Sequence, residues 1–156
     1  MIAVYAGPRE ALRDLFALAE DSGEQLTEYL ERGRVLVARI DDSIVGHLQL
    51  VATHHASTVE IKNMAVVGDR QRQGIGTALI QAARRDPLTL GGRRMIVATA
   101  AADIDNLQFY QRNGFRCTHI ERDAFTPASG YPAPIEINGI ILRDRVWLDL
   151  ELPDQP

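Results

Sequence analysis

The sequence predicts an α/β fold, and three observations lead there. Segments marked by helical spacing of apolar residues or by helix caps alternate with segments of strand-like patterning. Two of the strand-like segments meet at a short polar turn, and a third runs through a glycine-containing turn directly into a helix.

Taken in order, Ile2 to Tyr5 reads as a short strand. Pro8 stands where a helix begins, because its fixed φ suits the first helical position, and Leu12, Leu15, Phe16 and Leu18 follow near helical spacing to an end near Asp21. Ser22 is the candidate N-cap of a second helix from Gly23 to Glu31, closed by Arg32-Gly33. Val35, Val37 and Ile40 then mark a strand, Asp41-Asp42-Ser43 a turn, and Ile44 to Val51 the returning arm of a hairpin. A third strand, Thr58 to Val67, carries Val59, Ile61, Ala65 and Val67 and breaks at Gly68-Asp69. Gly74 to Arg85 has Ile75, Leu79, Ile80 and Ala83 at helical spacing, and Asp86-Pro87 stops it. The continuous apolar run Met95-Ile96-Val97-Ala98 suits a strand inside the sheet. Asp103 or Asp105 caps a fourth helix through Leu107, Phe109 and Tyr110, which ends at Asn113-Gly114. Phe115 to Glu121 and Arg143 to Leu150 complete the strands. Between them, Ala124 to Asn138, with Pro127, Gly130, Pro132 and Pro134, reads as a long irregular loop of the functional kind.

The balance of 46% apolar and 24% charged residues over 156 positions suits one domain, residues 1–156, with a proper core. A net charge of −4 with scattered basic residues argues against a nucleic-acid partner, since phosphate binding needs clustered Lys and Arg. The one cysteine, Cys117, excludes an internal disulfide, and the start of the chain lacks the pattern of a signal peptide, so a cytoplasmic setting is expected. No apolar stretch approaches the ~20 residues that cross a bilayer, so no membrane partner is expected. No residue set has metal-ligand spacing.

Chemistry concentrates in Gln71-Arg72-Gln73-Gly74-Ile75-Gly76-Thr77, between a strand and a helix. Unpaired N–H groups and the positive end of the helix dipole meet there, so a glycine-lined turn can cradle a pyrophosphate. No Lys-Ser or Lys-Thr follows, which excludes a Walker loop, and the third glycine of a dinucleotide fingerprint is missing. An ordinary strand-to-helix turn is the competing reading, and neighbouring residues decide against it. Gln71, Gly74 and Gly76 fill the pattern of a coenzyme A pyrophosphate loop; Asn63-Met64-Ala65-Val66-Val67 looks like the strand that precedes it; and Asn106, Tyr110, Gly114 and Phe115 match a downstream signature. On these three linked motifs the chain resembles the GCN5-related N-acetyltransferase (GNAT) family, well from Val35 to about Arg122 and more loosely elsewhere. One departure is Arg72, where the family commonly has Gly; its side chain either contacts phosphate or reaches solvent.

The resemblance implies the GNAT acyltransferase fold, a mixed, mostly antiparallel sheet splayed at its centre and flanked by helices. It also implies acetyl-CoA as co-substrate and direct attack by a primary amine of a small molecule in a ternary complex. Acetylation of a protein lysine or N-terminus is one alternative, and an acyl-CoA sensor without turnover is another. A homodimer is left open. Met64, Ala65, Val66, Gln71, Arg72, Gln73, Gly74, Ile75, Gly76, Thr77, Asn106 and Tyr110 are the cofactor-binding residues that it implies, with Met64 and Val66 pairing to the pantetheine arm as if it were a strand and the Val66 N–H meeting the oxyanion.

A lysine-like amine has a pKa of about 10.4 and must lose a proton before it attacks a thioester. Glu60, at the start of the strand that faces the acceptor in the family the chain resembles, is the candidate base, acting through water, although a surface pairing with Lys62 is the plain alternative. His54, His55 and Asp123 are lesser candidates. By the resemblance, Tyr110 stands in the family's position for the acid that protonates the departing thiolate, with Asn106 one helical turn earlier on the same face, and core packing of the tyrosine ring is the plain alternative. Cys117 and His119, two apart in a strand, offer a covalent route, against which stands the usual role of a lone cysteine as a small buried hydrophobe. His47 reads as structural. Arg84-Arg85 and Arg93-Arg94 read as a solvated helix end and strand start, with contact to the adenosine 3′-phosphate as the functional alternative. The acceptor is expected between the first two helices and the Ala124 to Asn138 loop, walled by Tyr131 and the prolines, where Glu20, Asp21, Glu24 and Glu28 either attract a cationic amine or form a solvated face.

Overall fold

Alternation of apolar residues pairs β2 (Arg34–Ile40) with β3 (Ser43–Ala52) as the expected hairpin, Leu36 opposite Leu48, with Asp41 at φ 50° making the turn. In the computed structural model, which describes residues 1–153, β1 (Ile2–Val4) adds to the outer edge of β2 and β4 (Thr58–Val66) to β3, both antiparallel. β5 (Arg94–Ala100) lies parallel to β4, and β9 (Arg145–Glu151) and β6 (Arg116–Glu121) follow antiparallel. The resulting seven-stranded sheet has the order β1-β2-β3-β4-β5-β9-β6 and is mixed and mostly antiparallel, as expected.

Helices cover both faces. On one, Phe16 of α1 (Arg13–Ala17) and Leu26 and Tyr29 of α2 (Gly23–Tyr29) bury Val35 and Val37 of β2. On the other, Leu79, Ile80 and Ala83 of α3 (Ile75–Ala83) pack on Leu36, Leu48, Leu50 and Ile61, and Tyr110 of α4 (Ile104–Arg112) joins the same core. Complete burial of one such Leu or Ile side chain stabilises the fold by about 1.5–3 kcal/mol. The end of α3 is tied to the start of β2 by a two-pronged ion pair, Arg34 Nε and Nη2 to the Asp86 carboxylate at 2.8 and 3.1 Å. No described helix is long and apolar enough to cross a membrane.

Two expectations need correction. The first helix does not reach Asp21: a 3-10 turn at Arg9–Leu12 precedes the five-residue α1, which tightens at its end as Leu18 N–H donates to Leu15 and Ala19 N–H to Phe16. The chain then turns away, which frees Glu20 to face inward. Nor is the segment from Ala124 to Asn138 structureless. Thr126 and Ser129 cap a 3-10 turn at Pro127–Ser129 reciprocally, and β7 (Glu136–Ile137) pairs with β8 (Ile140–Ile141) about Asn138 and Gly139, both at positive φ. Two successive residues of positive φ make the tight hairpin turn that Asn-Gly favours.

Candidate functional site

The site begins where the sheet comes apart. β4 and β5 pair from Thr58 opposite Arg94 to Ile61 opposite Val97, and pairing then stops, although both strands continue. At that point β4 carries a bulge: Ile61 lies opposite Leu50 and Asn63 opposite Gln49, so Lys62 is an extra residue. An extra residue bends and twists its strand, and here it leads β4 away from β5. The gap holds a cavity of about 590 Å³, lined by Glu60 to Val66 of β4 and Val97 to Ala100 of β5. Val67 N–H donates to Val45 in β3, so by alternation the N–H and C=O of Val66, and those of Met64 before it, point into the gap. The Val66 carbonyl accepts a hydrogen bond from Gln71 Nε2 at 3.1 Å.

Below the gap, the turn into α3 has the geometry that its glycines predict. Gly74 is the N-cap residue at φ 82°, and a Cβ there would meet nothing within 4 Å, so the space over the helix start is open. Gly76 is different: its Cβ would lie 2.9 Å from Phe109 Cζ and 3.2 Å from Met64 Cε. Arg72 also has positive φ, 60°, which explains why glycine suits that position and marks this arginine as strained. Gln71 lines the cavity, whereas Arg72, Gln73, Gly74, Ile75, Gly76 and Thr77 form the turn and helix start beyond its wall.

From the β5 side, Asp103, not Asp105, caps α4 by accepting from Asn106 N–H at 3.0 Å. Asn106 and Tyr110, one turn apart, both line the cavity. Phe109 and Phe115 hold the Tyr110 ring edge-on, at centroid distances of 5.2 and 5.6 Å. Burial, and secondarily the Asp103 charge, push its phenol above the ordinary tyrosine range, so it stays protonated as a donor.

The α1/α2 face supplies the rest. Glu60 is mostly enclosed, and its carboxyl is raised by burial and lowered by Lys62, Arg32 and Arg145, with burial the stronger, which makes it a better proton acceptor than an exposed carboxylate. Glu60 pairs with Lys62 at 3.9 Å, and it does so within the cavity wall. Nearby, Glu20 accepts from Tyr29 Oη at 3.2 Å and Tyr131 Oη at 2.6 Å. Tyr29 accepts from Asn63 Nδ2 at 2.9 Å, and Asn63 Oδ1 takes the Nε2 proton of buried His47 at 2.7 Å. Stacked on Phe16 at 4.0 Å and lowered by burial to a pKa of about 4, His47 is neutral and structural, as read from the sequence. The 124–138 segment is fastened over this chamber by Tyr131 to Glu20 and by Gln25 Nε2 to the Ser129 carbonyl at 3.1 Å, with Gly130 packed on the Ser22 hydroxyl.

Of the four acids expected on the first helices, Glu20 and Asp21 lie between α1 and α2 and line the chamber, and Asp21 is raised first by burial, then by Glu20 and Asp103. Glu24 and Glu28 are solvated. His54, His55 and Asp123 are exposed and outside the cavity wall. The Cys117 and His119 pair does not form: a bulge puts Cys117 opposite Leu148 and His119 opposite Trp147, hence on opposite faces, and Cys117 is exposed instead of buried. Arg84 and Arg85 sit at the far end of α3, ~15 Å along the helix from Gly74, beside a separate cavity of about 220 Å³, and Arg94 is bound to Asp149 at 2.8 Å. Sequence reasoning missed Tyr29, Asn63, Arg145 and Trp147 as wall residues. The signal for Asn63 was a polar residue in an apolar strand; for Trp147, its outward place between Val146 and Leu148.

A family model described as an acetyltransferase (GNAT) domain matches residues 31–117. The uncharacterized N-acetyltransferase YvbK of Bacillus subtilis (strain 168) is 37% identical over 143 residues, 92% of this chain and 90% of that protein. Among solved structures, a Bacillus subtilis acetyltransferase in complex with CoA superposes with a TM-score of 0.86 at 36% identity, covering 97% of this chain and 98% of the other. A GNAT family acetyltransferase from Elizabethkingia anophelis with acetyl-CoA bound gives a TM-score of 0.86 at 32% identity, with 97% of each chain covered.

Proposed function

The chain belongs to the GNAT acetyltransferase family and is an acyltransferase, and we propose that it moves the acetyl group of acetyl-CoA to a primary amine of a small molecule by direct attack in a ternary complex. The fastened chamber carries the choice of a small acceptor. A segment held down by Tyr131 on Glu20 and Gln25 on Ser129 walls the acceptor side, which narrows the room for an extended peptide.

The residues fit acetyl-CoA on this structure's own terms. The free strand edge at Met64 and Val66 offers donors and acceptors to the pantetheine amides, and the open space over Gly74 leaves room for a pyrophosphate at the start of α3. Relatives with CoA and acetyl-CoA bound support the same donor. Acetyl-CoA supplies an activated thioester. Around it we assign Gln71, Arg72, Gln73, Gly74, Ile75, Gly76 and Thr77 to the phosphates, and Met64, Ala65, Val66 and Asn106 to the arm. Glu60 takes the amine's proton, through a water, and its buried carboxyl suits that task. The Val66 N–H donates to the carbonyl oxygen as charge builds there. Tyr110, a phenol kept protonated by burial, gives its proton to the departing sulfur.

Release of free CoA from acetyl-CoA, measured across polyamines, amino acids, aminoglycosides and lysine peptides, tests the acceptor class. Turnover confined to small amines is expected. Turnover on lysine peptides alone would make the chain a protein acetyltransferase, and tight acetyl-CoA binding without turnover would make it a sensor.

A further inference from the structure

Alternation in β4 already puts Glu60 and Lys62 on one face of the strand, and the bulge adds Asn63 to it. Lys62 and Asn63 then meet the same aromatic ring. Asn63 donates to the Tyr29 hydroxyl, which itself donates to Glu20, so the ring is fixed at its tip. Over the face of that ring, 5.0 Å from its centroid, lies the Lys62 ammonium, which is also 3.9 Å from Glu60 Oε1. The side chains are 31% and 17% exposed, respectively, so solvent screens the pair less than it would on an open surface.

From this geometry we propose that Lys62 is a positioning residue that keeps Glu60 ionised and fixed at the edge of the cleft, with the Tyr29 ring as the ledge on which its ammonium rests. Two other cations face Glu60: Arg32, just after α2, and Arg145 of β9. Arg145 is bound to Glu121 at 3.1 Å and lies over the Phe125 ring, and Lys62 is the one of the three within ion-pair distance of Glu60. Against these cations stands burial, which favours the protonated form of the Glu60 carboxyl. A flexible lysine would sample many positions; the ring removes that freedom by offering the ammonium an attractive face.

The inference rests on the reading of Glu60 as the base only for its catalytic consequence, and the two are tested apart. Carbon-13 NMR titration of the side-chain carboxyls of the full chain reports Glu60 directly, its resonance identified by its loss in Glu60→Gln. We expect Lys62→Met to raise the midpoint by about one pH unit and Lys62→Arg to restore it. An unmoved midpoint in Lys62→Met, or one that Lys62→Arg fails to restore, would overturn the proposal. In parallel, the acid limb of kcat/KM for CoA release follows the same shift if Glu60 is the base. A midpoint that moves while the limb stays would uphold Lys62's hold on Glu60 and remove Glu60 as the base.

Discussion

Replacing Arg72 with glycine should stabilise the protein and weaken its hold on acetyl-CoA. Arg72 has φ 60° in the turn before α3. A side chain in that left-handed region costs about 1–2 kcal/mol, while glycine's extra freedom in the unfolded chain takes back about 0.5–1 kcal/mol. The net gain is about 0.5–1 kcal/mol, or about 2 °C in Tm for a chain of this size. The strain would be retained because the guanidinium engages a phosphate, and losing a charge-assisted hydrogen bond of about 1.5 kcal/mol raises Kd about tenfold. Calorimetric melting of the free protein reads the first effect and titration calorimetry with acetyl-CoA the second. A lower Tm in Arg72→Gly would refute the strain argument, and an unchanged Kd would return Arg72 to solvent.

Two further outcomes follow from the buried network and the fastened segment. His47 titrates in the folded state at about 4, below its ordinary value, so its neutral form stabilises the fold above pH ~6.5, and that contribution is lost as pH falls toward 4. His47→Gln should remove about 3 kcal/mol of acid sensitivity across that window, seen as the difference between the two urea-unfolding curves against pH; parallel curves would contradict it. Tyr131→Phe removes the 2.6 Å bond to Glu20. It should raise KM for the amine about tenfold, through loss of a charged hydrogen bond of about 1.5 kcal/mol, while Kd for acetyl-CoA stays constant; a change in Kd alone would place Tyr131 on the wrong side of the site.

Most elements of the sheet were legible because their evidence is local: alternation for the β2–β3 hairpin, a continuous apolar run for β5, and caps at Ser22 and at Asp103, one of two candidates, that the structure uses. The glycine turn was legible for the same reason, since φ at Gly74 is a property of one residue. What escaped depended on partners distant in sequence. Nothing near Glu20 foretells Tyr131, 111 residues away, as its donor. Bulges were equally hidden: one extra residue at Lys62 opens the cleft, and another in β6 separates Cys117 from His119, yet neither disturbs the apolar pattern enough to be seen. The hairpin of β7 and β8 was within reach, because Asn138-Gly139 is the dipeptide that such a turn favours.

The central claim is that this cleft transfers acetyl to an amine with Tyr110 as the acid. Its most direct test is single-turnover release of CoA from the complex with acetyl-CoA and a small-amine acceptor, comparing the protein with Tyr110→Phe, alongside acetyl-CoA affinity. The account predicts a loss of transfer of about 10²-fold or more with Kd for acetyl-CoA changed by less than about twofold, since Phe keeps the packing between Phe109 and Phe115. Transfer at an undiminished rate in Tyr110→Phe would contradict it.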